Sequence, residues 1–245
     1  MKPSESRRPY DPAVPVYTAW DLGHTDDTAI WWYQVIAGEI HILESYASSG
    51  GSLSEYASQI MGREVTIDLV GEDVVAKVGK KIEGLGKRRQ YKYKRHWLPH
   101  DAKAKTLAAK GKSIIQQLAA ALDLSNLAIV PDIGVEDGIQ AARMMFGRCW
   151  FDEQGCDPGL KALRRYQREK QQDDKSFKKI PKHDWTSHYA DAFRMLAVAT
   201  QNEVKPPKQK TAEGTEVRGL PDGTIQVGCL EELYKQSVNR HQARI

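Results

Sequence analysis

The sequence predicts a mixed α/β fold: a central sheet whose first three strands are antiparallel, flanked by helices that alternate with further strands. Three observations predict it. Residues 16–46 carry three runs of branched and aromatic residues, divided by the polar stretch 23–27 and by Gly38, which is the pattern of an antiparallel meander. Beyond residue 52, apolar residues recur at helical spacing in several separate segments. Between those segments lie short apolar runs at 91–98, 127–130 and 149–151, and strands that alternate with helices build a sheet of mixed direction.

The elements follow in chain order. Residues 1–15 are polar and proline-containing and read as a lead-in. The first strand, 16–21, holds Val16, Tyr17 and Trp20 and delivers Asp21 to its end; the turn 23–27 follows, then strands over 29–37 and 39–46. The loop SSGGS leads to a helix ending at Gly62, capped by Ser52 or Ser54, with Leu53, Tyr56, Ala57 and Ile60 on one face. Residues 64–78 are ambiguous: Val65, Ile67 and Leu69 alternate like a strand, while 73–78 can start a helix. A fourth strand spans 91–98. Helices are expected over 113–122, 135–146 and 158–172, a basic loop over 173–183, and a last strong helix over 185–201 with Tyr189, Ala192, Phe193, Leu196 and Ala199 inward. After residue 202 the composition shifts to Lys, Pro and Gly, so 205–224 reads as linker and 229–239 as a short terminal helix. The domain expectation is a lead-in at 1–15, one domain over 16–201 with a basic insertion at about 77–95, and a tail over 202–245.

Composition narrows the function classes. A chain of 245 residues with 40% hydrophobic and 28% charged residues can bury a core, and its net charge of +4 is too mild to identify a partner. Cys149, Cys156 and Cys229 lack paired spacing, which argues against a disulfide framework or a cysteine-built zinc site and for a reducing compartment. The N-terminus has no apolar core of a signal peptide, and no apolar run reaches the length of a membrane span. The expectation is a soluble intracellular protein.

Three aspartates carry the chemistry. Asp21 leaves a strand interior just before a turn, an expensive place for an unpaired carboxylate. It either caps that turn or meets a divalent cation. Asp101 follows the fourth strand within LPHDA, and can instead cap the next segment. Asp191 lies in the last helix beside the apolar stripe, on the face of His188 by their i, i+3 spacing, and can instead pair with Arg194. If that helix packs on the sheet edge carrying the other two, three carboxylates converge. Three like charges in a small volume call for a cation, and an all-oxygen set selects Mg²⁺ or Mn²⁺. Two such ions activate water and stabilise the leaving oxygen of a phosphodiester.

DLGHTDDTA, LPHDA and HDWTSHYADAFRML, in that order and widely spaced, resemble the nuclease domain of the large terminase subunit of tailed bacteriophages. The resemblance runs from about residue 16 to 201. It implies an RNase H-like fold and an endonuclease that cuts concatemeric double-stranded viral DNA during packaging in the host cytoplasm. It implies catalytic and metal-binding roles for Asp21, Asp101 and Asp191, two divalent ions (Mg²⁺ or Mn²⁺), and a further metal carboxylate at Asp26 with Asp27 as its neighbouring alternative. His100 and His188 fall beside the metals or the phosphate. The implied partners are DNA, a portal protein, a small terminase subunit and a packaging ATPase domain, with no membrane.

That ATPase precedes the nuclease in the family. Here the chain opens just before the nuclease strand, so an excised domain or a split protein is expected. The only phosphate-loop candidate is Lys110-Gly111-Lys112-Ser113. Thr106 stands where a Walker A glycine is required and no apolar strand precedes it, so the segment reads as a helix start. The run 77–95 holds Lys80, Lys81, Lys87, Arg88, Arg89, Lys92, Lys94 and Arg95 interleaved with Tyr91 and Tyr93. It is either a solvated insertion or a hairpin that guides DNA by its phosphates, a contact that reads no sequence. Two other readings compete with the terminase nuclease. One is a resolvase or RNase H acting on branched DNA or RNA–DNA hybrid; the other is a non-catalytic DNA-packaging module.

Overall fold

The computed structural model describes residues 10–23, 27–85, 91–105, 109–170, 177–203, 215–219 and 225–229. The chain divides into two compact units, Met1–Val204 and Lys205–Ile245.

The first unit is built on a six-stranded sheet. Its first three strands, β1 (Val16–Asp21), β2 (Asp27–Ile36) and β3 (Glu39–Ser49), form the expected antiparallel meander. On one side of it β6 (Tyr93–Leu98) lies parallel to β1, and β7 (Leu127–Ile129) parallel to β6. On the other, β8 (Cys149–Phe151) lies parallel to β3, so the order across the sheet is β7-β6-β1-β2-β3-β8. This is the mixed sheet, its first three strands antiparallel and helices on its flanks, that the sequence predicts.

Helices cover both faces, which is why the strands carry large apolar side chains on successive residues instead of a clean alternation. Trp31 and Trp32 of β2 are both fully buried, on opposite faces. On one face Tyr17, Ala19, Trp31, Tyr33 and Trp97 pack under α3 (Val135–Phe146), α4 (Asp157–Arg165) and α5 (Trp185–Glu203), through Met145, Tyr189, Phe193 and Leu196. On the other Val16, Trp20, Ile30, Trp32 and Leu98 pack under α1 (Leu53–Met61) and α2 (Ile114–Leu118). Period-two alternation along β1 therefore puts Asp21 on the face of Tyr17 and Ala19, beneath α5. The predicted stripe Tyr189, Ala192, Phe193, Leu196 and Ala199 is buried. The Trp31 indole N–H donates to the Tyr189 carbonyl at 2.9 Å, and Gly159 gives the same ring room: a Cβ there would lie 2.3 Å from it.

Several segments differ from the sequence reading. The ambiguous stretch is a hairpin of β4 (Arg63–Val70) and β5 (Asp73–Lys81), turning at Gly71 and Glu72, with Val65 and Ile67 against the α1 core. The helix expected over 113–122 stops at Leu118. Ser113 and Gln116 close a capping box at its start, and the chain then turns so that Leu118 and Leu122 enter the same core. The helix expected to reach 172 ends at Arg165, because Tyr166 turns to an extended conformation and β9 (Arg168–Lys170) pairs with β10 (Phe177–Pro181), a strand inside the expected basic loop. The lead-in is tied to the sheet from Tyr10 onward: Tyr10 packs on Tyr91, and Gln34 donates to the carbonyls of Asp11 and Val14.

In the second unit, β11 (Thr215–Gly219) lies where linker was expected and forms a hairpin with β12 (Ile225–Cys229), just beyond it. Cys229 closes β12, and the rest of the expected terminal helix lies outside the described residues. Cys149 and Cys156 are free thiols; burial pushes Cys149 up to about 12 and Cys156 higher still, so both are unreactive near neutrality. Among the described residues no helix is long and apolar enough to cross a membrane.

Candidate active site

The carboxyl ends of parallel strands are where open α/β sheets present their functional groups. Here β1 ends at Asp21, β6 leads through Pro99 into a short 3-10 turn (His100–Lys103) containing Asp101, and β7 leads through Pro131 to Asp132. α5 crosses above this edge and supplies His188 and Asp191 from one face. Its first turn is closed by Asp184, whose carboxylate accepts the Thr186 backbone N–H at 2.9 Å.

Two of the three predicted carboxylates are brought together. His188 Nδ1 lies 3.8 Å from Asp21 Oδ2, with the two side chains 10% and 22% exposed. Asp191 is held above the usual carboxylate range. Burial is the main cause and the charge of Asp21 adds to it; Arg194 and His188 act in the opposite direction. Arg194 donates its Nε–H to Asp191 Oδ1 at 3.2 Å, and its Nη2 completes an ion pair 3.1 Å from the same oxygen. Tyr166, just past α4, faces the same pair: burial first and then Asp191 push its hydroxyl up to about 12, so it stays protonated.

Asp101 is placed differently. It lies past the end of β6 and is exposed, and makes no ion pair or hydrogen bond with Asp21 or Asp191 among the described residues. No group of three His, Cys, Asp or Glu side chains that could hold a metal ion occurs among the described residues. His100 is also exposed, with Nδ1 3.9 Å from Asp132 Oδ1. Asp27 opens β2 opposite Ser49; burial raises the hydroxyls of Tyr56 and Tyr189, and the charge of Asp27 adds to it. Asp26 lies outside the described residues.

The predicted cations divide into two groups. Lys80 and Lys81 are exposed at the end of β5. Lys92, Lys94 and Arg95 lie at the start of β6, where Lys94 sits 5.5 Å from the Tyr17 ring centroid and Arg95 5.3 Å from that of Trp97. Arg95 is opposite Tyr17, so at a strand rise of about 3.3 Å per residue it is roughly 13 Å along β1 from Asp21. These residues belong to the opposite end of the strands from the carboxylates. Lys87, Arg88 and Arg89 lie outside the described residues.

The sequence reading did not single out Asp132, Tyr166 or Gly138. Asp132 had a signal: Pro131-Asp132 after a short apolar run repeats the LPHD pattern. Tyr166 had none, because it sits in a charged stretch of continuous helical character. Gly138 in α3 is explained by Arg194, whose Cγ and Cδ would lie 2.3 Å from a Cβ at that position. Arg194 lines two clefts. One of about 240 Å³ holds His100, Asp132 and Met195; the other, of about 220 Å³, holds Arg143, Phe146, Tyr166 and Arg168.

No family model matches the chain, and no curated protein matches it. Solved structures do. The large terminase (g2p) nuclease domain of bacteriophage SPP1, with bound Mn, is 10% identical over 77% of this chain and 86% of that one, at a TM-score of 0.47. The P22 large terminase nuclease domain is 16% identical over 81% of this chain and 90% of that one, at 0.48. The large terminase of a thermophilic bacteriophage is 16% identical over 80% of this chain, at 0.49, and this chain spans 41% of its length.

Proposed function

We propose that this chain is a metal-dependent endonuclease that cuts concatemeric double-stranded viral DNA during genome packaging in the host cytoplasm, as the nuclease part of a terminase large subunit. The observation that carries the proposal is the pairing of Asp21 with Asp191: the end of the central strand and the last helix set two partly buried carboxylates in one field, with His188 beside Asp21.

The donor set fits a hard divalent cation. Both carboxylates are oxygen donors, each repels the other, and Mg²⁺ needs only one or two carboxylates with water completing its shell. Asp21 and Asp191 would hold it, and Asp101 and Asp26 would be the carboxylates offered to a second ion. When bound, Mg²⁺ or Mn²⁺ supplies water activation and offsets charge on the leaving oxygen.

The chain's own residues do the rest. Asp21, rigid at the sheet centre, would fix the cation's position relative to the strand, since its own charge repels the phosphate. Asp191 is carried by a helix anchored through Trp31. His188 and His100 stand where a DNA phosphate can accept from their rings, and Asp27 supports the turn region. Lys80, Lys81, Lys87, Arg88, Arg89, Lys92, Lys94 and Arg95 engage DNA backbone away from the cut. The partners of this reading are the portal, a small terminase subunit and a packaging ATPase domain.

The test is relaxation of supercoiled plasmid by the purified chain. Mg²⁺ or Mn²⁺ is required, EDTA abolishes cutting, and Asp21→Asn and Asp191→Asn remove it while DNA binding persists. Cutting in EDTA, or an Asp21→Asn variant at near wild-type rate, overturns the proposal.

A further inference from the structure

We infer that Arg194 is the built-in counter-ion of the carboxylate pair: it balances Asp191 in the metal-free protein, and a divalent cation binds against it. The inference rests on the metal-site reading above and extends it to a positioning residue that touches neither metal nor substrate.

Four observations support it. Asp21 and Asp191 are 22% and 27% exposed, so water screens their repulsion only in part. Arg194 is a cation placed on Asp191, 12% exposed, with its Nε–H hydrogen-bonded to Oδ1 and its Nη2 ion-paired with that same oxygen. Oδ2 of Asp191 has no partner among the described residues, so the arginine engages one oxygen and leaves the other for a ligand role. Finally, the arginine stem is fixed. It crosses α3 at Gly138, where a Cβ would lie 2.3 Å from its Cγ and Cδ, and a glycine within a helix is less stable than an alanine. The helix gives up that stability at the one point where the stem passes.

The electrostatic consequence has a definite sign. A guanidinium close to the pair lowers the negative potential that attracts a cation, and in a partly dry site this effect is strong. Removing the charge must therefore tighten metal binding while leaving the metal-free protein less stable. A residue whose role was only to hold the fold would weaken metal binding when removed.

The experiment is a calorimetric titration of Mn²⁺ into the full chain without DNA, paired with thermal melts in EDTA and in saturating Mn²⁺. Arg194→Gln is expected to bind Mn²⁺ about tenfold more tightly than wild type. It should melt lower in EDTA, and saturating Mn²⁺ should narrow the gap. Arg194→Lys keeps the charge and should stay near wild-type affinity. Gly138→Ala pushes the stem aside while retaining the arginine, and should shift affinity in the direction of Arg194→Gln; it carries the test if Arg194→Gln does not fold. Unchanged or weaker Mn²⁺ binding by Arg194→Gln, or by Gly138→Ala where it stands in, overturns the inference, as does an Arg194→Lys variant equal to Arg194→Gln. In those cases wild-type binding leaves the metal reading intact. Wild-type protein that binds no Mn²⁺ removes both.

Discussion

Asp21 and Asp191 are the same side chain in two supports. Asp21 ends a strand with neighbours on both sides, and Asp191 rides on a helix and is balanced by Arg194. Asp21→Asn should therefore abolish plasmid cutting outright. Asp191→Asn should also abolish it while costing little stability in a urea melt, because burial and Asp21 already disfavour the ionised carboxylate there and the amide oxygen can still accept from Arg194. A second residue-scale prediction concerns His96, whose Nδ1 lies 2.8 Å from the Thr18 hydroxyl. Burial holds its pKa down to about 4, against 6.5 in the unfolded chain. The native ring stays neutral while the unfolded chain takes up a proton, so stability is lost as pH falls from about 6.5 toward 4, by up to about 3 kcal/mol. Urea midpoints at pH 7.5 and 5 measure it, and His96→Gln should flatten the difference. At this scale the sequence was informative where a residue type conflicted with its surroundings: an aspartate ending an apolar strand, another beside a helix stripe. It was silent on Tyr166, whose significance comes from where α4 stops.

The elements were legible wherever one pattern held without competition. The three opening strands and α5 have long apolar patterns and clear punctuation. The misreadings fall where local preference and tertiary pairing disagree. Residues 164–172 are charged and helix-compatible throughout, yet the segment leaves the helix at Tyr166 and pairs with β10. The β4–β5 hairpin shows only half-buried alternation, with Val75 and Val78 left exposed, so its second strand lacked a signal. One prediction belongs to the α4–sheet contact. Gly159→Ala places a methyl group against the Trp31 ring and the Ser45 hydroxyl. Overpacking of this kind costs about 1–3 kcal/mol, read as a lower denaturant midpoint. The basic run gives another: replacing Lys87, Arg88 and Arg89 with Ala should reduce the salt dependence of DNA binding, by a slope of about 0.9 for each phosphate left unneutralised, with the fold intact. Binding measured across a salt series reads it, and an unchanged slope would assign the run to solvent.

At the scale of the whole molecule, the division at Val204 bears on what is needed for cutting. A chain ending at Val204 should fold and cut, since every proposed catalytic carboxylate precedes that point; circular dichroism melting and the plasmid assay check both. Loss of cooperative melting would place the tail inside the folding unit. The site was half legible at this scale. The adjacency of the strands leading to Asp21 and Asp101, and the Asp191 helix beside them, is what the motifs led one to expect. The position of Asp101 does not, because the turn after β6 is set by local geometry that residue pattern leaves open.

The Trp31 indole reaches the Tyr189 carbonyl across 158 residues of chain. The first strands of the unit are thus locked to its last helix, and contacts so distant in sequence form late in folding. On the ribosome the chain emerges N-terminus first. Asp21 leaves the exit tunnel well before Asp191, with almost all of the intervening sheet and helices translated between them. A nascent or truncated chain without α5 therefore carries half of the carboxylate pair, and under the proposed function it should not cut DNA.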